Sequence, residues 1–118
     1  MPAATYDITI EQGATLRLSF VWKDSEEVPI NLTGYSARMQ VRRSFSSTDK
    51  LLDLSTEDGS ITLGGAAGTI TVEGDASLTE LLKTKCGVYD LELESSDGVV
   101  TRLIQGEVTV APEVTRND

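Results

Sequence analysis

The run from Gly87 to Val110, GVYDLELESSDGVVTRLIQGEVTV, reads as two long strands joined by a tight turn at Ser96, Asp97 and Gly98. Tyr89, Leu91 and Leu93 alternate with Asp90, Glu92 and Glu94, so one face of the first strand enters a core while the other carries carboxylates into water. Asp97-Gly98 supplies the turn, because glycine accepts the positive φ angles that hairpin turns matching the strand twist require. A lone hairpin is marginal in water. The chain must therefore fold into a sheet that gives this hairpin neighbours.

The sequence before it supplies them. Tyr6 to Ile10 reads as a short first strand, broken by Gln12-Gly13. In Thr15 to Lys23 the bulky row Leu16, Leu18, Phe20 and Trp22 falls on one face, and burying each such side chain contributes about 1.5–3 kcal/mol, so half of the core is expected here. The connection Asp24 to Gly34 follows, with Ile30 and Leu32 expected to plug the end of the core. Tyr35 to Arg43 is a third strand with Tyr35, Ala37, Met39 and Val41 inward, and Ser44 to Lys50 a polar surface loop. Leu51 to Ser55, Ile61 to Leu63 and Thr69 to Glu73 are short strands separated by Asp58-Gly59 and by Gly64 to Gly68, the spacing of an all-β sandwich or barrel.

One helix is expected at residues 77–85. Ser77 and Glu80 have the spacing of a capping box, Leu78, Leu81 and Leu82 share a face, Lys83 and Lys85 suit the negative end, and Gly87 allows a stop. The order of the pieces resembles an immunoglobulin-like β-sandwich of about 7–9 strands with this helix as its crossover. Tyr89 then sits where such folds place a tyrosine that bonds back to the crossover.

At 118 residues with 39% hydrophobic content, the chain has the length and core of a single domain, 1–118, with short tails expected at 1–5 and 113–118. No apolar run approaches the roughly 20 residues of a membrane span, and MPAATYDITIEQ lacks the blocks of a secretory signal. Ten basic residues stand against 19 acidic ones, a net charge of −9, which keeps the chain soluble and disfavours phosphate backbones. There is no histidine, which removes imidazole acid–base work, histidine triads and histidine-ligated zinc, and the single cysteine, Cys86, excludes an internal disulfide.

No residue set is assigned a catalytic, cofactor-binding or metal role. Asp90, Glu92 and Glu94 are outward residues about 7 Å apart in sequence steps of two; with Arg38 and Arg42 on the adjoining strand they read as cross-strand charge pairs rather than a glycosidase carboxylate pair. The acidic loop of Asp24, Glu26 and Glu27 lacks the calcium-loop spacing. Gly64 to Gly68 has no lysine or helix after it and reads as a flexible hairpin turn, not a phosphate loop. Asn31-Leu32-Thr33 matches the glycosylation sequon but reads as turn chemistry, and Cys86, beside Lys85 without a histidine, as an inert thiol.

A set of motifs is more specific. Gln12-Gly13 ends the first strand, Pro29-Ile30-Asn31-Leu32-Thr33-Gly34-Tyr35 leads into the alternating strand Ala37 to Arg43, and Gly87, Tyr89, Asp90 and Leu91 are followed by Gly106 and Val108. From Asp7 to Val110 this resembles the N-terminal β-sandwich domain of upper baseplate proteins of tailed bacteriophages. The resemblance implies a non-enzymatic virion protein, assembled in the host bacterial cytoplasm, whose partners are other virion proteins in multiple copies rather than nucleic acid, membrane or a small-molecule substrate. Such baseplate proteins carry C-terminal stalk extensions that have no counterpart after Val110, so an adaptor docking on tail, neck or baseplate is expected. The alternatives are a capsid decoration protein and a carbohydrate-binding module, the latter requiring exposed aromatic platforms.

Overall fold

The computed structural model describes residues 3–115. The alternating segments form β1 (Ala4–Thr5), β2 (Ile8–Glu11), β3 (Leu16–Val21), β4 (Ser36–Arg42), β5 (Leu52–Ser55), β6 (Ile61–Leu63), β7 (Thr69–Gly74), β8 (Cys86–Glu94) and β9 (Val100–Ala111), with a short helix α1 (Ala76–Thr79) before β8. They make an all-β sandwich of two sheets. The larger runs β1-β9-β8-β4-β5, with β2 also on β9, and the smaller runs β3-β7-β6.

The central hairpin is where its alternation puts it. Leu91 and Leu93 of β8 and Met39 and Val41 of β4 are buried, and they meet Ile70 and Val72 of β7 in one core. Leu32 is buried with them and Ile30 packs against them. The turn closes through Gly98 N–H to Ser95 O at 2.9 Å, with Gly98 at φ 86°. The bulky row of β3 goes in less deeply than its hydrophobicity suggests. Leu16 is buried, but Leu18, Phe20 and Trp22 are half-buried because β3 ends its sheet and has a neighbour on one flank only.

The helix differs from its expected form. It spans four residues, its N-cap is Asp75 rather than a capping-box serine, and Leu78 and Leu81 are exposed while Leu82 is buried. Tertiary contacts decide this. The Thr79 hydroxyl, fully buried, donates to Ala14 O at 2.8 Å and accepts from Gly13 N–H at 3.1 Å. Gln12 donates to Leu82 O at 2.7 Å and accepts from Glu113 N–H at 3.0 Å. These bonds turn the Thr79 and Leu82 side inward and pull the chain after Glu80 out of helical register. Lys83 and Lys85 consequently lie beyond the helix.

The first strand is also held in an unexpected way. Ala4 and Thr5, expected in a tail, pair parallel with Ile104 and Gln105, and β2 pairs parallel with Val108 to Ala111. Between them Tyr6 and Asp7 step across Gly106. An added Cβ at Gly106 would strike Tyr6 O, so only glycine admits the crossing. Opposite Gly106 stands Tyr89, whose hydroxyl donates to that same Tyr6 carbonyl. Tyr89 therefore locks the N-terminal strand, not the crossover helix. Residues 1–2 and 116–118 of the expected tails lie outside the described residues.

Burial, with Tyr6 and Asp7 nearby, pushes the Tyr89 phenol up to about 12. Its neutral form is favoured in the folded state, so the stability it contributes is complete below the ordinary value of 10.0 and disappears as pH rises through about 12. Tyr89→Phe should cost about 1–3 kcal/mol at neutral pH by leaving the Tyr6 carbonyl without its donor, and should lack this component of alkaline destabilisation. Urea midpoints of both proteins across the alkaline range test this. Thr79→Val, which removes the buried hydroxyl but keeps its shape, should likewise cost about 1–3 kcal/mol. Leu81→Ala, on the exposed side of the same turn, should change the urea midpoint by less than about 0.5 kcal/mol.

Candidate functional site

Side chains of the larger sheet that do not enter the core form its outer face, and their order is set by register. Arg38 stands opposite Glu92, Gln40 opposite Asp90, and Ser36 opposite Glu94. Asp53 of β5 adjoins Gln40. On the other flank Arg102 stands opposite Glu92 and Gln105 opposite Asp90. Of the acidic side chains of β8, Glu92 is thus laid between basic ones on both sides, Arg38 and Arg102.

The pairing that results is partly the expected one. Arg38 reaches Glu92 Oε1 through Nε at 3.3 Å and Nη2 at 3.2 Å. Arg42 does not pair with the acidic row. Its register partner is Val88, and its guanidinium donates to Ser47 O at 2.8 Å, Thr48 O at 3.1 Å and Gln40 Oε1 at 2.9 Å. Asp90 is paired instead from β9, by Arg102 Nε at 3.4 Å. Lys50, from the loop before β5, bonds Asp53 at 3.2 Å.

Arg102 faces outward because of a bulge. Ile104 stands opposite Leu91 and Arg102 opposite Glu92, leaving Leu103 as the extra residue. Without it, strict alternation from Val108, Gly106 and Ile104 would turn Arg102 into the core. An extra residue in one strand re-aims the side chains after it. The adjacent apolar pair Leu103-Ile104 after Arg102 is the only trace of this in the sequence.

The polar loop after β4 completes the face. Its carbonyls at Ser47 and Thr48 are held by Arg42, and its Ser44 and Ser47 hydroxyls lie 3.0 Å apart. On this pinned loop Phe45 is 88% exposed. It overhangs depressions that reach Val88, Arg102 and Gln105 on one side and Thr5, Asp7 and Glu107 on the other. Beside the first of these, toward β5, a shallow hollow of about 320 Å³ is lined by Arg38, Gln40, Arg42, Lys50, Asp90 and Glu92. Here sequence reasoning missed Phe45 and Arg102, because a lone aromatic in a serine-rich loop has no periodicity to give it away.

Burial raises the Asp90 carboxyl, Glu92 raises it further, and Arg102, Arg38 and Arg42 oppose the rise. Each acid in the hollow has a cation facing it.

The remaining candidates fall elsewhere. Asp24 uses its carboxylate to accept the N–H groups of Glu26 at 2.9 Å and Val28 at 3.0 Å, closing its own loop. Asn31 accepts from Thr33 N–H at 3.0 Å and Thr33 Oγ1 at 2.7 Å, which is turn chemistry. Gly64 to Gly68 forms a 3-10 turn between β6 and β7, and Gly65 O accepts from Leu32 N–H at 2.9 Å. Cys86 is exposed at the start of β8. Among the described residues, no group of three or more His, Cys, Asp or Glu side chains has metal-holding geometry, and no helix is long and apolar enough to cross a membrane. Compared with protein-family models and with curated proteins, the chain matches none.

Because its raised carboxyl pKa means that ionised Asp90 costs the folded state free energy at neutral pH, Asp90→Asn should leave stability at pH 7 equal to wild type or slightly higher despite losing Arg102. The cost is absent once pH falls below the ordinary carboxylate value of 3.8, where both states are protonated. Any advantage of the variant should therefore shrink to nothing near pH 3, which urea midpoints at the two pH values measure. A variant less stable at pH 7 than at pH 3, relative to wild type, would show that the Arg102 pair outweighs burial.

Proposed function

We propose that this chain is a non-catalytic assembly module of a tailed-phage particle, an immunoglobulin-like sandwich that docks by protein–protein contact on tail, neck or baseplate. The observation that carries the reading is the outer face of the larger sheet, where paired charges surround a loop that holds Phe45 out in water. Interfaces combine a polar rim with a few aromatic or arginine anchors, and an aromatic on a pinned loop loses little freedom on binding. The face is satisfied without a partner and ready for one.

Three further observations support it. The residues that carry the resemblance to baseplate sandwiches are the ones that build the frame: Gln12 ties three segments together, Asn31 and Thr33 shape the turn into β4, and Tyr89 and Gly106 seat the first strand. The strand orders β9-β8-β4-β5 and β3-β7-β6 support the immunoglobulin-like description. The net charge of −9 disfavours nucleic acid as the partner.

Locating the chain in intact particles by cryo-electron microscopy tests the proposal. Density on tail, neck or baseplate is the expected result, and Phe45→Ala, folded as judged by its melt, should lower occupancy there. Binding to expanded heads alone would replace this reading with capsid decoration. A glycan-array hit or turnover of a small molecule would overturn it.

A further inference from the structure

Three of the four sheet edges are short or broken. β1 and β2 part at Tyr6-Asp7, β5 has four residues and carries the Lys50–Asp53 pair, and β6 has three residues. The remaining edge is β3, six residues without proline, glycine or bulge, bonded to β7 alone. Just beyond it Trp22 N–H bonds to Gly68 O at 2.9 Å, and the register puts Phe20, Leu18 and Leu16 in the same bonded phase opposite Ile70, Val72 and Gly74. The alternate residues Arg17, Ser19 and Val21 therefore turn their backbone N–H and C=O groups away from β7. Among the described residues none of these groups has a backbone partner outside the strand.

Such an edge is a template for another strand, and its apolar row asks for cover. Leu18, Phe20 and Trp22 are only half-buried, Val21 is 50% exposed, and Tyr6, packed edge-to-face on Phe20 at 5.8 Å, is 52% exposed. We propose that β3 pairs antiparallel with β3 of a second copy of this chain about a two-fold axis at Ser19, joining two small sheets into one of six strands.

Self-complementarity selects a second copy over a foreign strand. An isologous contact requires that a segment match its own reversal. Reversed about Ser19, the run Leu16 to Trp22 sets Leu18 opposite the partner's Phe20 and Leu16 opposite the partner's Trp22 on the inner side, with Arg17 opposite the partner's Val21 on the outer side. On the inner side apolar residues meet apolar residues, the only residue meeting itself is a serine, and no like charges stand opposite each other. Arg17, the one charge on the edge, is already tied to Glu73 at 3.1 Å. The general opposition comes from the net charge of −9 on each copy, so added salt should tighten the dimer.

Sedimentation equilibrium of the wild type should show the mean mass rising from one chain to two with concentration, at lower concentrations in higher salt. Ser19→Pro should abolish the dimer and keep the fold, because proline is tolerated where the N–H of an edge strand faces solvent. If that variant does not fold, Ser19→Lys and Ser19→Glu serve: each alone should dimerise severalfold more weakly, and an equimolar mixture should restore association. In the wild type, amide exchange at Arg17, Ser19 and Val21 should slow about tenfold or more on concentration while that of β5 and β6 stays constant. A wild type that remains monomeric, with these amides exchanging at one rate throughout, overturns the proposal. So does a folded Ser19→Pro variant that still dimerises. Neither result bears on the particle assignment, which does not depend on this edge.

Discussion

Strand β8 is bonded on both flanks, to β4 from Val88 to Glu94 and to β9 from Cys86 to Glu94, and the rest of the larger sheet is placed relative to it. Its inward residues Leu91 and Leu93 have no exposed surface. Its outward residues from Asp90 to Glu94 are carboxylates, which water would hold well, so the alternation has only one orientation that buries nothing charged without a partner. The same strand thus fixes the deepest part of the core and the acidic line of the outer face. Two charge pairs on that face, Arg38–Glu92 and Arg102–Asp90, join β8 to the strands the ladder brings alongside, β4 and β9.

A second constraint ties the ends of the chain to this ladder. Because Tyr89 lies inward opposite Gly106, the space a side chain would have filled is free for the Tyr6 carbonyl, and the tyrosine hydroxyl closes on it. Asp7 Oδ1 then takes the Glu107 N–H at 2.9 Å, replacing a ladder bond lost at the step. The backbone of the crossing is therefore satisfied by side chains on both sides, as a buried or half-buried chain requires. This lets the first strand run parallel along β9 instead of beside β3, and it is the reason β3 is left as the sheet's last strand.

What was legible in the sequence was whatever a local period or a turn residue encodes. The inward rows of β4 and β8, the Asp97-Gly98 turn, Leu32 as a plug and Asn31 as a turn former are all visible in a few neighbouring residues. The losses share one cause, contact between residues distant in sequence. Ser77 and Glu80 have sound capping spacing, yet Thr79 and Gln12 bond to other segments and stop the helix after Thr79. Arg42 has the right parity to meet an acid, but two loop carbonyls lie nearer. Tyr89 bonds to a carbonyl 83 residues away. Trp22 belongs to a bulky row whose burial depends on a neighbour that the sheet order does not provide.

Charge distribution then decides what kind of contact each surface favours. On the larger sheet Arg38, Arg102 and Lys50 are matched to Glu92, Asp90 and Asp53, so its central face has little net field. Many of the surplus acids lie in turns and loops, among them Asp24, Glu26, Asp49, Glu57, Asp75 and Asp97. A partner approaching a loop meets uncompensated negative charge and is selected for being basic, through association rate more than through affinity. A partner on the sheet face meets charges already paired, and stripping water from them repays little. Affinity there must come from the apolar projection of Phe45, and along β3 from backbone bonds and the half-covered row beneath it. Much of the acidity is thus placed away from β3 and from the centre of the larger sheet's outer face, the two surfaces with unspent apolar area.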